Sequence, residues 1–312
     1  MSVLITGSEG FCGQHLARYC VTLGEKVTGI ARKIHSNQTN PAWDTIENDL
    51  SDTNSLISLL DQLRPEVIYH LAGTFDSSDP TYLYALNVQA TIRLFDAVTA
   101  LAINPVIMIA SSGAVYGRMS SATKAIQEQN PFCPLTHYAV SKIAQEMVAL
   151  RYHLSEKVRV IRTRAFNIIG PGQPENLVCS SLAKQIAAIE LNRQDPVIRV
   201  GNLTPARDLI DVRDVVNAYW LVANRGESGK VYNVCSGRAM TVAECLDTLK
   251  EFSQVPSETI IDPTRQRADD IPIQVGDPSR ITHETGWRAQ ISFRQSLLDL
   301  LNYWRERLQK ES

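Results

Sequence analysis

The stretch that decides the fold is VLITGSEGFCG at residues 3–13, followed by HLARYCVTLG at 15–24. An apolar run of strand character ends at Gly7. A helical pattern opens after Gly10, at Phe11, and runs on through Gly13. Glycines at these three places let the chain turn tightly, let its backbone approach a pyrophosphate, and let helix pack on strand. The helix N-terminus then offers free N–H groups and a partial positive charge to phosphate oxygens. Three spaced glycines alone are a weak signal. The strand before and the helix after turn them into a dinucleotide-binding loop.

Working outward, 3–6, 26–31, 66–72, 105–111 and 158–163 read as strands. EVIYHLA and PVIMIAS are nearly continuous apolar runs, the pattern of parallel strands covered by helices on both faces. Between them Leu56, Leu59, Leu60 and Leu63 recur at helical spacing, behind an expected cap at Thr53. Alternating strand and helix predicts the α/β class, a doubly wound parallel sheet of Rossmann type with right-handed crossovers. From about residue 165 the texture changes: GPGQPEN at 170–176 is loop chemistry, followed by a helix, a short strand VIRVGN, and a helix from about Val212. VYNVCSG is a further strand, and an amphipathic helix closes the chain at about Leu308. The expected organisation is a dinucleotide-binding domain over 1–165, which also receives part of about 211–237. A smaller α/β substrate lobe over 166–312 is interleaved with it.

Composition excludes more than it identifies. The chain has 312 residues, 44% hydrophobic, with Lys+Arg 31 against Asp+Glu 33 and a net charge of −2. That balance lacks the basic excess of a nucleic-acid binder. The start MSVLITG has no basic segment or apolar stretch of signal-peptide type, and no run of about 18 apolar residues suggests a membrane span. A cytoplasmic protein is expected. Cys12, Cys20, Cys133, Cys179, Cys235 and Cys245 form no CxxC pair, and the six histidines no HExxH, so neither a disulfide framework nor a metal site is indicated.

The second strand ends Thr28-Gly29-Ile30-Ala31-Arg32-Lys33, without the acid that usually meets the ribose 2′-hydroxyl of NAD. Arg32 offers a charged fork to a 2′-phosphate; the other reading is a solvated basic pair. The choice falls on NADP(H), with NAD(H) possible. Tyr138 and Lys142, in YAVSK, stand at i and i+4 on one helix face. Ser111 and Ser112 end the run VIMIA at the carboxyl edge of a strand, where ligands of open α/β sheets bind. A free phenol titrates near 10, so Tyr138 needs help to exchange protons near neutrality. An ammonium at Lys142 stabilises phenolate, and Ser112 can hold an oxygen where charge develops. Singly, Ser112 could be a turn serine and Tyr138 a core tyrosine; the combination carries the inference.

With TGSEGFCG, HLAG at 70–73, SSGAVYG at 111–117, YAVSK at 138–142 and RAFNIIGPGQ at 164–173, the sequence resembles the extended short-chain dehydrogenases/reductases acting on nucleotide sugars. The resemblance covers essentially the whole chain. It implies Ser112, Tyr138 and Lys142 as the catalytic trio, Asp49 and Leu50 bordering adenine, and Leu71, Ala72 and Gly73 lining the cofactor. Gly73 stands where the family more often has Ala.

Farther on, AKQIAAIE (183–190), VGNLTPARDLIDVRDVVNAYWLV (200–222) and DPTRQRADDIPIQVGDPSRITHETGW (262–287) resemble the bacterial GDP-4-keto-6-deoxy-D-mannose reductases. By that likeness the substrate is a GDP-sugar whose C4 ketone is reduced, giving GDP-D-rhamnose, and Asn167, Lys184, Arg207 and Arg267 hold the diphosphate. Their charges suit phosphate, although ordinary loop or helix charges explain them too, Lys184 above all. Ala114 stands where the resembling dehydratases carry Glu, and Gly113-Ala114 lacks the serine-cysteine motif of GDP-fucose synthases. A 4-epimerase with tightly held NAD would suit the same trio, and a non-catalytic dinucleotide-binding scaffold is the non-enzyme alternative. The family pairs subunits through the YxxxK helix and its neighbour, so a homodimer is expected. Val88, Thr91, Ile92, Phe95 and Val98 lie on that neighbour, at a spacing that equally suits an internal core face.

Overall fold

Residues 3–6 and 67–70 alternate their side chains between two apolar layers, and this alternation organises the molecule. A computed structural model of the chain describes residues 1–33, 42–75, 79–118, 125–266 and 271–311. In chain order the elements are β1 Ser2–Thr6, α1 Phe11–Thr22, β2 Lys26–Ala31, β3 Asp44–Glu47, α2 Thr53–Leu63, β4 Val67–His70 and α3 Pro80–Tyr84. A π-helical turn, Ala85–Gln89, leads into α4 Ala90–Ala100, then β5 Val106–Ser112, α5 His137–Glu156, β6 Arg159–Ala165 and β7 Asn167–Ile169. There follow α6 Val178–Glu190, β8 Val197–Val200, β9 Ala206–Asp211, α7 Val212–Arg225, β10 Val231–Val234 and β11 Ala239–Thr241. The chain finishes with α8 Val242–Phe252, β12 Glu258–Ile261, β13 Ile273–Gln274, α9 Ser279–Thr285 and α10 Phe293–Lys310.

Seven parallel strands form the main sheet in the order β10-β6-β5-β4-β1-β2-β3. Val3, Ile5, Val67, Tyr69 and Met108 point to one face, under Leu16 and Cys20 of α1 and Val215 and Tyr219 of α7. Leu4, Ile68, Ile107 and Ile109 point to the other, under Leu56 and Leu60 of α2 and Leu94 and Phe95 of α4. Burial on both faces is why these strands read as unbroken apolar runs. The sheet is the doubly wound α/β architecture expected.

Smaller sheets build the remainder: β11, β9 and β13 with β7 beside β9, and β8 paired with β12. Leu182, Ile186, Leu246, Leu249, Leu300 and Trp304, from α6, α8 and α10, close a separate core there. Within it the sulfurs of Cys179 and Cys245 lie 3.7 Å apart as free thiols. β10 and α7 belong to the main sheet and its cover, not to this second core.

Two details differ from the sequence reading. The cap of α2 is Asp52, whose carboxylate accepts from Asn54 N (3.0 Å) and Ser55 N (3.2 Å), so Thr53 is the first helical residue. An ionised carboxylate is the stronger acceptor for the orphan N–H groups there. β3 has no apolar run to announce it: Asp44 and Glu47 are exposed, and only one neighbouring strand covers this edge. On α4 and the turn before it, Thr91, Phe95 and Val98 are fully buried, with Phe95 stacked on Tyr152 at 4.9 Å, whereas Val88 and Ile92 are half-buried.

Candidate active site

Strand order reverses at β1, which has β2 on one side and β4 on the other. The crevice at the carboxyl ends of these strands is where open α/β sheets bind ligands. Gly7 adopts φ +72°, and a Cβ there would sit 2.9 Å from Ala72 N; one on Gly13 would sit 2.1 Å from Gly7 O. Neither position admits a side chain, so α1 is pressed against the loop end of β1. Gly10 caps α1 without a side chain of its own, leaving first-turn N–H groups turned to the crevice. Leu71 N donates to Thr6 O (3.2 Å) and Ala72 N to Thr6 Oγ1 (3.1 Å), fixing the HLAG segment alongside. These residues fit a dinucleotide: the loop is a cradle that Cβ atoms would fill.

Around its outer end Arg32 is exposed and donates to the Tyr82 hydroxyl (2.6 Å), which lifts the guanidinium pKa further. Asp49 accepts from Ser51 N (2.8 Å), and Leu50 is half-buried against the α2 layer. Gly73 has a local cause. A Cβ there would come within 2.6 Å of Asn87 Oδ1 and 3.5 Å of Lys142 Nζ. Asn87, fully buried in the π-helical turn, accepts from Thr74 N (3.0 Å) and donates to Ser141 Oγ (2.9 Å), tying this loop to α5. A π turn at a functional site is a recurrent arrangement.

Ser112 ends β5 and Tyr138 and Lys142 lie in the first two turns of α5. The three come together. Ser112 Oγ accepts from Ala114 N (3.1 Å), the place of a turn serine, and its hydroxyl also acts on the Tyr138 phenol. Burial raises the Tyr138 pKa, and the neighbouring Ser112 hydroxyl opposes that rise. The Lys142 ammonium donates to Ala110 O (2.8 Å) and Gln145 Oε1 (2.9 Å). Burial pulls Lys142 from 10.5 down to about 8, partly countered by Glu146.

Sequence reasoning missed the groups behind the trio. Glu146, fully buried, accepts from Ser111 Oγ (2.6 Å) and takes Arg164 in a forked pair, Nε at 2.9 Å and a terminal nitrogen at 2.8 Å. Arg164 also donates to the Tyr116 hydroxyl (2.9 Å) and Glu128 O (3.0 Å). The pair joins α5 to β6 beside the carboxyl end of β5. A charged residue four positions after Lys142, and so on the same helix face, is the signal that could have found it.

The lobe residues are held differently. Asn167 Nδ2 donates to Asp208 O (3.3 Å), and Arg207 donates to Ile271 O (2.5 Å) and Ala206 O (3.0 Å). Asp208, unnoticed in the sequence, is buried and accepts from Ser236 N and Oγ (both 2.7 Å), Gly237 N (2.9 Å) and Gly276 N (3.2 Å). Lys184 is ion-paired with Glu175 and lies 5.2 Å over the Trp304 ring. Arg267 lies outside the described residues. Among the described residues no group of three or more potential ligands gathers as a metal site, and no helix is long and apolar enough to cross a membrane.

The family model for GDP-mannose 4,6 dehydratase matches residues 4–300. The chain belongs to the GDP-mannose 4,6-dehydratase family. Within that family it is 33% identical to GDP-6-deoxy-D-mannose reductase of Pseudomonas aeruginosa, over 99% of both chains. It is 28% identical to GDP-6-deoxy-D-talose 4-dehydrogenase of Aggregatibacter actinomycetemcomitans, over 92% of each. The solved structure of RMD from Pseudomonas aeruginosa complexed with NADPH superposes with a TM-score of 0.85 at 32% identity, covering 98% of this chain and 100% of that one. Membership makes the chain an enzyme of the nucleotide-sugar oxidoreductase type, using NADP(H) or NAD(H).

Proposed function

We propose that this family member reduces the C4 ketone of a GDP-4-keto-6-deoxyhexose with NADPH, giving the GDP-6-deoxyhexose, GDP-D-rhamnose where the ketone is GDP-4-keto-6-deoxy-D-mannose. The observation that carries the reading is the meeting of Ser112, at the carboxyl end of β5, with Tyr138, in the first turn of α5, beside the glycine cradle. The relative at 33% identity supports the choice of sugar.

Gly7, Gly10, Phe11 and Gly13 hold the pyrophosphate, Arg32 the 2′-phosphate, Asp49 and Leu50 the adenine, and Leu71, Ala72 and Gly73 the rest of the dinucleotide. The bound reduced nicotinamide supplies hydride. Ser112 hydrogen-bonds the ketone oxygen and orients it. Tyr138 gives its proton to that oxygen as the C=O bond becomes an alcohol, and Lys142 stabilises the phenolate left behind. Asn167, Arg207, Lys184 and Arg267 take the sugar diphosphate in the lobe. At Ala114 a methyl group replaces any acid or base, so elimination of water has no proton carrier at that corner of the site. Dimerisation would use the exposed side of α5, where Val140, Met147 and Leu154 are 39%, 40% and 61% accessible at seven-residue steps.

The test is to mix the protein with the GDP-4-keto sugar and NADPH and follow loss of the reduced-nicotinamide absorbance. Tyr138→Phe should cut turnover about 10²- to 10⁴-fold while NADPH still binds. No NADPH consumption with any GDP-4-keto sugar rules the reductase out. Interconversion of sugars by bound NAD without net cofactor use would establish the 4-epimerase.

A further inference from the structure

We propose that Gln145 is a positioning residue for Lys142, holding the ammonium at the sheet edge through a chain of buried side chains that ends beneath the dinucleotide loop. The inference rests on the reading of Lys142 as the partner of Tyr138.

The chain can be followed atom by atom. Lys142 Nζ donates to Gln145 Oε1 (2.9 Å), and Gln145 Nε2 donates to Thr91 Oγ1 (2.9 Å). Thr91 spends its one proton on Asn87 O (2.8 Å), so toward His70 Nε2 (2.9 Å) it can only accept. His70 therefore carries its proton on Nε2, and its Nδ1 accepts from Thr6 Oγ1 (2.8 Å). Thr6 Oγ1 in turn accepts from Ala72 N (3.1 Å), a backbone group of the cofactor-lining segment. Gln145, Thr91, His70 and Thr6 are all fully buried, so water offers no substitute partner.

This proton order leaves one orientation for the Gln145 amide. Its nitrogen is committed to Thr91, and its oxygen must face Lys142. A neutral acceptor fixed in that place favours the charged form of a lysine that burial disfavours. The groups facing Lys142 from the elements packed on α5 are Glu146, already paired with Arg164 of β6; His70 of β4, kept neutral; and Tyr138 one turn earlier. The third ammonium proton is left for the site.

The experiment measures kcat/KM against pH for NADPH oxidation by the wild type, Gln145→Leu and Gln145→Glu, with Lys142→Met as control. Alongside it, the titration of Lys142 in the cofactor-free protein is read by NMR on carbon-labelled lysine, assigned by its loss in Lys142→Met. Gln145→Leu should move the alkaline limb and the Lys142 titration down by roughly one pH unit, about tenfold in activity above the limb, and Gln145→Glu should move both up. Shifts in the same direction, or a uniform loss of rate at every pH with the titration unmoved, overturn the proposal. If Gln145→Leu yields no folded protein, an unmoved titration in Gln145→Glu overturns it alone. Normal turnover in Lys142→Met overturns the catalytic reading instead, and the NMR titration then decides the role of Gln145 by itself.

Discussion

The carboxyl edge of the main sheet and the lobe facing it hold their charged groups in opposite ways. At the sheet edge Lys142, Glu146 and Arg164 are buried and each is answered by fixed partners. In the lobe Lys184 is half-buried and paired with an exposed Glu175, and Arg207 is half-buried on backbone carbonyls. The first arrangement fixes chemistry in place before any ligand arrives. The second leaves its cations nearer to solvent. Buried ion pairs resist the loss of either member, whereas exposed ones contribute little.

That contrast can be broken by substitution. Arg164→Met should be the most damaging, because it strands Glu146 without its counter-charge; a loss of about 3–5 kcal/mol is expected in urea unfolding. A cost as small as that of a lobe cation would erase the distinction. Next comes acid. His70 is pushed by burial from 6.5 to about 3, helped by the charge on Lys142. Its folded value is depressed, so the unfolded chain binds the extra proton, and stability is lost as pH falls below 6.5 toward 3. Between neutrality and pH 4 this group alone should remove roughly 3 kcal/mol, and His70→Asn should flatten the profile of the thermal midpoint. In the lobe, Arg207→Ala should raise KM for the GDP-sugar about tenfold with kcat nearly unchanged, as for an interaction made equally in ground and transition states. An equal fall in kcat would place Arg207 with the sheet-edge group. Lys184→Ala should change stability by less than about 1 kcal/mol, the smallest effect of the set, measured by the same unfolding curve.

The same contrast explains what could be read from the chain. Gly7, Gly10 and Gly13 were legible because backbone geometry dictates them, and β2 and α7 were legible because their apolar periods are strong. β3 was not, since an edge strand reading DTIE carries no buried face to mark it. Nor were Asn87, Gln145 and the Glu146–Arg164 pair. Asn87 meets Ser141 across 54 residues, and no local pattern encodes which distant polar groups will share a buried pocket. Lys142 shows the limit most sharply: nothing in its local pattern marks Gln145, three residues further on, as an acceptor of its ammonium.

β10 supplies the outermost strand beside β6, although it lies some 65 residues farther along the chain than its partner. No single cut can therefore excise either half intact. A fragment ending near residue 165 would leave the β6 edge bare and strip α7 from above α1, whereas a circular permutant opened in a lobe loop would keep both.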